Sequence, residues 1–137
     1  MAAQKSTSPE QRIQTSIAEV WRAANGVIHI LFTSDGTHSL PEAKEIVAAH
    51  NALAEGRPRP VLADIRGVQQ GANLAARKYY VSDESARYKS GMAMLIRSPL
   101  QRMLGNIFFK LNRPPYPSRL FSDEEDAMAW LLSLGNA

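Results

Sequence analysis

The sequence predicts a single α/β domain in which an N-terminal hairpin is followed by alternating helices and strands around a mixed sheet of about five strands. Three observations carry this prediction. An Asn25-Gly26 turn joins two β-rich runs, helix-capping motifs recur along the chain, and short apolar runs separate the helices. Because strands that alternate with helices are joined by right-handed crossovers, the later strands should be parallel and covered by helices.

The hairpin is predicted over residues 17–24 and 27–33. Both runs are rich in β-formers, and Asn25-Gly26 is the dipeptide that accepts positive φ at both centres of a type I′ turn. Residues 1–15 are polar and lack an apolar period, so we expect a flexible N-terminal arm there. Residues 16–137 are then expected to form one domain, a normal size for a single core.

The first helix is predicted from a capping box. Ser39 and Glu42 have the spacing of that motif, and Gly56 ends the stretch. The apolar run Val61–Ile65 follows and is typical of a central strand covered on both faces. A second helical stretch is predicted after Asn73, which is suited to the N-cap position.

The clearest helix start in the sequence is Ser98-Pro99-Leu100-Gln101, with serine as N-cap and proline at N1. It follows a strand predicted over 92–96, and the helix should end before Pro114. A short last strand is predicted over 118–121.

The last helix is predicted from Ser122 and Glu125, which have the spacing of another capping box. Its buried face is predicted to consist of apolar residues at helical spacing, namely Met128, Trp130, Leu131 and Leu132.

The composition excludes several classes of site. Cysteine is absent, so disulfides, thiolate zinc sites and cysteine nucleophiles are excluded. No apolar run approaches the length of a membrane-spanning helix, and the N-terminus lacks the apolar core of a secretion signal. We therefore expect no membrane span and a cytoplasmic location.

The charge is unevenly distributed along the chain. Residues 57–119 contain twelve basic and three acidic residues, a net charge of +9, whereas the whole chain carries +3. This basic middle would favour an anionic ligand, or it would pair with the acidic flanks in the folded protein.

Ligands of open α/β sheets bind beyond the carboxyl ends of the strands, where loops and helix N-termini meet. A ligand or partner surface is therefore predicted there, made of Asp64, Arg66, Gly67, Asn73, Arg97, Ser98 and Arg102. The N–H groups after Ser98, with Arg97 and Arg102, suit an anion, but ordinary capping explains the same pattern. Asp64 would serve as a base or a metal ligand, or would pair with Arg66.

Catalysis is not predicted. The three histidines lack metal-ligand spacing, no serine lies in a Gly-x-Ser-x-Gly elbow, and the Gly67–Gly71 stretch lacks the Gly-Lys-Ser/Thr ending of a P-loop. We expect no metal and no cofactor, with a hydrolytic or acid/base activity centred on Asp64 as the alternative. Tyrosines and basic residues alternate over 77–89, yet they point in several directions on a helix, so nucleic-acid binding is not expected.

The helix after Ser98 is more apolar than one buried face requires, because Ile107, Phe108 and Phe109 form an unbroken triplet. Either two elements cover this helix, or part of it forms a dimer face, a partner site or the mouth of a lipid-sized cavity. The residues predicted for such a pocket or dimer face are Met94, Met103, Ile107, Phe108 and Phe109.

Several local motifs resemble those of the STAS, or SpoIIAA-like, superfamily, and most closely a bacterial STAS-like family of unknown function. The resemblance extends from Ser16 to Leu134. The segments that carry it are Asp64–Val68, Ser98-Pro99, Gly105-Asn106, Asn112–Pro117 and Arg119–Phe121.

The resemblance implies a mainly parallel five-stranded sheet with helices stacked to one side, and a protein-interaction module regulated by serine phosphorylation. The family's phosphorylatable serine begins the helix after the third strand, where this chain has Ala72-Asn73-Leu74 and no hydroxyl. We therefore expect a non-enzymatic interaction or regulatory module without that serine, with a protein partner or homodimer.

The alternative, suggested by the distant resemblance of such domains to CRAL-TRIO lipid carriers, is a carrier or sensor of a small apolar or anionic ligand. An interaction module should have a filled core, whereas a carrier needs an enclosed cavity.

Overall fold

The computed structural model of the protein describes residues 12–34 and 37–135. Within these residues six strands form one sheet, and their order across the sheet is their order along the chain. The strands are β1 (Ile13–Gln14), β2 (Ala18–Arg22), β3 (Ile28–Phe32), β4 (Arg59–Asp64), β5 (Lys89–Leu95) and β6 (Ser118–Phe121). The first three strands are antiparallel neighbours, and β3 to β6 run parallel. The predicted hairpin followed by parallel strands is confirmed.

Five helices occur in the described part of the chain. They are α1 (Leu40–Ala54), α2 (Leu74–Tyr80), α3 (Asp83–Ala86), α4 (Pro99–Asn112) and α5 (Glu124–Ser133). None of the helices in the described ranges is long and apolar enough to cross a bilayer.

Three of the predicted helix starts have the expected contacts. The Glu42 carboxylate accepts hydrogen bonds from the Ser39 backbone N–H at 2.9 Å and from the Ser39 hydroxyl at 2.6 Å. The side chains of Asn73 and Ser98 each accept a backbone N–H of the first turn that follows. These caps satisfy N–H groups that have no partner inside the helix.

The sheet is covered on both faces. Val61 and Leu62 are neighbours on β4, so their side chains point to opposite faces, and each belongs to a different core cluster. The first cluster packs under α1 and contains Ala18, Val20, Ile28, Ile30, Ile46, Ala49, Ala54 and Val61. The second packs under α5 and contains Val27, Leu62, Ala93, Leu95, Phe121, Ala127 and Leu131.

Two features correct the expected sheet. It has six strands rather than five, because Ile13–Gln14 pairs with Glu19 and Val20 of β2, and α5 covers the face opposite α1. A strand of two residues is too short to show an alternating pattern in the sequence, and Ile13 is held by packing against the first core cluster. This strand lies in the segment for which we predicted an arm, whose residues 1–11 are outside the described residues.

The hairpin turn is not the type I′ turn that Asn25-Gly26 predicts. The Ala23 N–H donates to the Val27 carbonyl at 2.9 Å, and the Gly26 N–H donates to the Ala23 carbonyl at 2.9 Å. Gly26 has a φ of 92°, whereas Asn25 is not in the positive-φ region. The Asn25 side chain accepts the Val27 N–H at 3.0 Å, an Asx interaction that favours a three-residue loop ending in glycine.

The start of α5 also differs from the prediction. The helix begins at Glu124 after Asp123, so the capping box of Ser122 and Glu125 is wrong, and Asp123 makes no side-chain cap. Three carboxylates, those of Glu124, Glu125 and Asp126, occupy the first turn, where they interact favourably with the helix dipole.

The prediction that Leu132 belongs to the buried face of α5 is wrong. Leu131 is fully buried, and Met128 and Trp130 are partly covered, but Leu132 is 42% exposed. Leu132 is rotated by about 100° from Leu131 around the helix axis and so points toward solvent.

Candidate functional site

A cavity of about 390 Å³ lies between the sheet and the helices α1, α2 and α4. We call it the central cavity. Its surface is mostly apolar, and its floor is formed by strand residues Ile30, Ala63, Met92 and Met94. The loop of residues 65–72 and the segment after α4 complete the wall. The space is partly open to solvent, and its volume falls within the size range of small-molecule sites.

Helix α4 packs closely on the sheet at Gly105, and the central cavity lies beside the rest of the helix. Of residues 99–112, all of which the structure describes, only Gly105 is buried. A Cβ at Gly105 would lie 2.9 Å from Leu120 Cδ2, so glycine permits this close packing on β6. Ile107 and Phe108 line the cavity instead of filling it.

Arg77 places a positive charge in the wall of the central cavity. It lies on α2, and its Nε atom is buried without a hydrogen-bond partner among the described residues. No carboxylate of residues 12–34 and 37–135 forms an ion pair with its guanidinium. The guanidinium therefore has no counter-ion among the described residues, and an anionic group in the cavity would supply one.

A neutral polar pair lies beside Arg77. His38 Nε2 and the Tyr80 hydroxyl are 2.7 Å apart, and both residues line the cavity. Burial lowers the pKa of the His38 imidazole and raises the pKa of the Tyr80 hydroxyl. Both groups are therefore uncharged at neutral pH and add hydrogen-bonding capacity without charge.

Lys89 is a second cation at the cavity wall. It is buried, and its Nζ donates to the backbone carbonyl of Ser85 and to the Ser85 hydroxyl. Burial lowers the pKa of Lys89 to about 8. The cation is bound through neutral oxygens of α3, so it adds positive potential near Arg77 without a paired carboxylate in the described ranges.

His50 lies behind this wall on α1 and is fully buried. Its Nδ1 is 3.0 Å from the Asn51 side-chain oxygen, and its Nε2 has no hydrogen-bond partner among the described residues. Burial and, to a smaller extent, the charge of Lys89 lower the pKa of His50 to about 3. The imidazole is therefore neutral in the folded protein.

Acid should destabilise the protein through His50. Its pKa is about 3 in the folded state and about 6.5 in the unfolded chain, so between these values the unfolded chain binds more protons. The free energy of unfolding should accordingly fall as the pH is lowered from about 6.5 toward 3, by about 2–4 kcal/mol from this residue. Urea unfolding at a series of pH values measures the effect.

The matched variant for this prediction is His50→Leu, which removes the titrating group and keeps an apolar side chain. His29, whose pKa burial lowers to about 4, remains in both proteins, so the variant should show a shallower pH dependence rather than none. Identical slopes for the two proteins would contradict the assignment.

The surface predicted at the strand ends is largely occupied by its own residues. Arg66 forms a bidentate pair with Asp64, with Nε to Oδ1 at 3.0 Å and Nη2 to Oδ2 at 2.8 Å. Burial raises the pKa of the Asp64 carboxyl, but the hydrogen bonds and charge of Arg66 together lower it by more, so its pKa is below its ordinary value. Asp64 is thus a paired carboxylate, as in the structural alternative considered above.

The N-terminus of α4 is capped rather than open to an anion. Gln101 accepts the Arg97 N–H at 2.8 Å, and Ser98 accepts the Gln101 N–H at 3.1 Å. The Arg97 guanidinium donates to the carbonyls of Arg66 and Val68. These contacts connect the 65–68 loop to the start of α4.

The remaining three residues of the predicted surface take no part in these contacts. Asn73 caps α2, as described, and Gly67 lies exposed in the loop with open space around it. Arg102 lines an open groove between α4, β6 and α5, which also contains Arg119 and Asp126.

The predicted apolar set is mostly gathered at the central cavity. Met94, Ile107, Phe108 and Phe109 line it, whereas Met103 lies on the exposed side of α4.

The pocket residues predicted from the sequence did not include Arg77, His38 or Lys89. One signal was available, since Arg77 and Tyr80 are three residues apart and share a helix face. Nothing in the sequence pattern indicates that this face meets α4 residues across a space.

A family model matches residues 20–134, and its description is a domain of unknown function, DUF7793. The chain belongs to this family. None of the curated proteins matches the chain.

This DUF7793 chain is similar to the crystal structure of an uncharacterised protein of the DUF3478 family with a SpoIIAA-like fold, from Shewanella loihica PV-4. The TM-score is 0.56 and the identity 14%, over 96% of this chain and 98% of that chain. A protein of unknown function from Arthrobacter sp. FB24 is 22% identical over 82% of this chain and 97% of that chain, with a TM-score of 0.32. The first likeness shows the fold alone: the DUF7793 chain has a SpoIIAA-like, STAS-like fold, as the sequence resemblance predicts.

Proposed function

We propose that this protein is a non-enzymatic carrier or sensor that binds a small apolar molecule with an acidic group in the central cavity. The observation that carries the proposal is an apolar space of about 390 Å³ whose wall contains Arg77, a guanidinium that has no carboxylate partner among the described residues. The space is partly open rather than enclosed, and an apolar cleft of this size favours the second of the two functions considered from the sequence.

The lining defines the class of ligand. Methionine, isoleucine and phenylalanine side chains from the sheet and α4 would contact an alkyl chain or ring, and burial of that surface would drive binding. The Met92 and Met94 side chains are flexible and adapt to different shapes. We therefore propose a straight or lightly branched apolar body rather than a ligand with many polar groups.

Arg77 would determine the orientation of the ligand. A guanidinium presents several N–H donors in one plane and suits a carboxylate, which accepts two of them. Lys89 would add positive potential, and the His38–Tyr80 pair lies on the same wall. The carboxylate would then lie toward α2 and the apolar body toward Met94 and α4.

Ligand capture without chemistry fits the groups at the site. Asp64 is paired with Arg66, and neither residue lines the central cavity. In residues 12–34 and 37–135 no group of three His, Asp or Glu side chains is arranged to hold a metal ion. The wall therefore supplies apolar contact and positive charge, which suffice for binding.

The test of this proposal is the affinity for an apolar acid before and after Arg77→Leu. Decanoate should bind the native protein with one molecule per chain in isothermal titration calorimetry. The variant should bind it about 10- to 100-fold more weakly, because a hydrogen bond to a charged group contributes about 1.5–3 kcal/mol. The neutral analogue 1-decanol should bind both proteins alike.

Lys78→Leu is the matched control, since it removes one positive charge from the exposed neighbour of Arg77 on the same helix. Its affinity for decanoate should equal that of the native protein. If no straight-chain acid from hexanoate to tetradecanoate binds the native protein, the proposed function is wrong. If the two variants lose affinity equally, the effect is one of net charge and Arg77 does not hold the carboxylate.

A further inference from the structure

The outer face of α4 is a continuous apolar stripe. Its residues recur at intervals of three and four positions, so they lie on one side of the helix. Their exposed fractions lie between 47% and 72%. We call this set the α4 stripe: Leu100, Met103, Leu104, Ile107 and Leu111.

The charge beside the stripe has one sign. Residues 99–112 contain the basic residues Arg102 and Lys110 and no acidic residue, and Arg113 follows at the C-cap. Lys110 lies about 20° around the helix from Met103, at the edge of the stripe. Arg102 lies on the other side of the helix, in the open groove that also contains Asp126 of α5, so Lys110 is the cation at the edge of the stripe.

The stripe is also part of the wall of the central cavity. Leu104 and Ile107 belong to both sets, since each is about half exposed and also lines the open cavity. The apolar surface is therefore continuous from the outer face of α4 to the cavity interior.

We propose that the α4 stripe docks α4 in the plane of an anionic lipid bilayer. An amphipathic helix with exposed leucine, isoleucine and methionine on one side and a lysine at the edge of that side is suited to the interface of such a membrane. Lys110, and Arg113 at the C-cap, would add electrostatic attraction to an anionic surface. A second copy of the chain is a poorer occupant, because it would bring another basic helix without acidic residues against the first. The orientation brings the Leu104–Ile107 wall of the cavity to the lipid surface.

The test is flotation of the full chain with vesicles. Binding should be strong to vesicles of phosphatidylcholine with 30% phosphatidylserine, weak to phosphatidylcholine alone, and reduced by high salt, because salt screens the electrostatic attraction. The double variant L100S/L111S should lower the bound fraction by about tenfold or more, since both substitutions remove apolar surface that would be buried in the bilayer. Neither residue lines the central cavity, so decanoate binding should be unchanged, which separates this proposal from the proposed function.

The matched control is L74S/L132S, which replaces two exposed leucines on α2 and α5. This control should bind vesicles as the native protein does. Absence of vesicle binding by the native protein, or equal loss in both double variants, would overturn the proposal. Sedimentation that shows a native dimer and a monomeric L100S/L111S variant would assign the stripe to a second copy and overturn it as well.

Discussion

Replacing Met94 by tryptophan should abolish decanoate binding while leaving the protein folded. Met94 lies on β5 in the floor of the central cavity, where it pairs with Ala63 and Leu120 across the sheet. A tryptophan side chain would extend into the 390 Å³ space that the proposed ligand occupies. We expect a loss of affinity of about a hundredfold or more, because the ligand and the ring cannot occupy the same volume.

The fold should tolerate Met94→Trp because the extra atoms enter empty space. Where the ring does press on its neighbours, overpacking costs about 1–3 kcal/mol, which thermal unfolding followed by near-ultraviolet circular dichroism would detect. Met103→Trp is the matched control, since Met103 is exposed on α4 and does not line the cavity. A folded Met94→Trp variant that binds decanoate with native affinity would place the ligand elsewhere.

Shortening Leu131 to alanine should cost about 2–5 kcal/mol of unfolding free energy, the range for large-to-small substitutions at fully buried leucines. Leu131 is completely buried and packs in the second core cluster with Leu62 and Leu95. Because this residue attaches α5 to the sheet, a large part of a stability that is typically about 5–15 kcal/mol would be lost. Urea unfolding followed by far-ultraviolet circular dichroism measures the change.

The neighbouring residue provides the control for this prediction. Leu132 is on the same helix but 42% exposed, so Leu132→Ala should change the unfolding free energy by about 1 kcal/mol or less. Both variants have the same helix propensity change, and the difference between them therefore reports burial alone. Equal costs would mean that α5 is not packed on the sheet through Leu131.

The order of helices and strands was predictable because it depends on local chemistry. Ser39 with Glu42, and Ser98 with Pro99 and Gln101, begin helices through contacts within four residues, and the structure contains these contacts. The apolar run around Val61 indicated a strand covered on both faces, and Val61 and Leu62 do belong to cores on opposite faces. Both kinds of signal involve residues that are close together along the chain, so they can be recognised in the sequence.

The hairpin turn and the start of α5 were predicted less well, because more than one local hydrogen-bonding arrangement fits the same residues. Asn25-Gly26 suits a type I′ turn, but the Asn25 side chain bonds the Val27 N–H and a three-residue loop results. At the start of α5, Ser122 and Glu125 have the spacing of a cap, yet the helix begins at Glu124, with three carboxylates in its first turn.

By itself, the sequence determined the alternation of elements, most helix starts and the resemblance to a SpoIIAA-like fold, because these follow from periodicity and capping within short stretches. The central cavity was decided only by the tertiary structure. Gly105 lets α4 contact β6 at Leu120, and the rest of that helix stands away from β4 and β5. Arg77 lies in the wall of the cavity because α2 and α4, which are distant in sequence, both border this space. No local pattern records such a distance, since it depends on how three separate elements pack on one sheet.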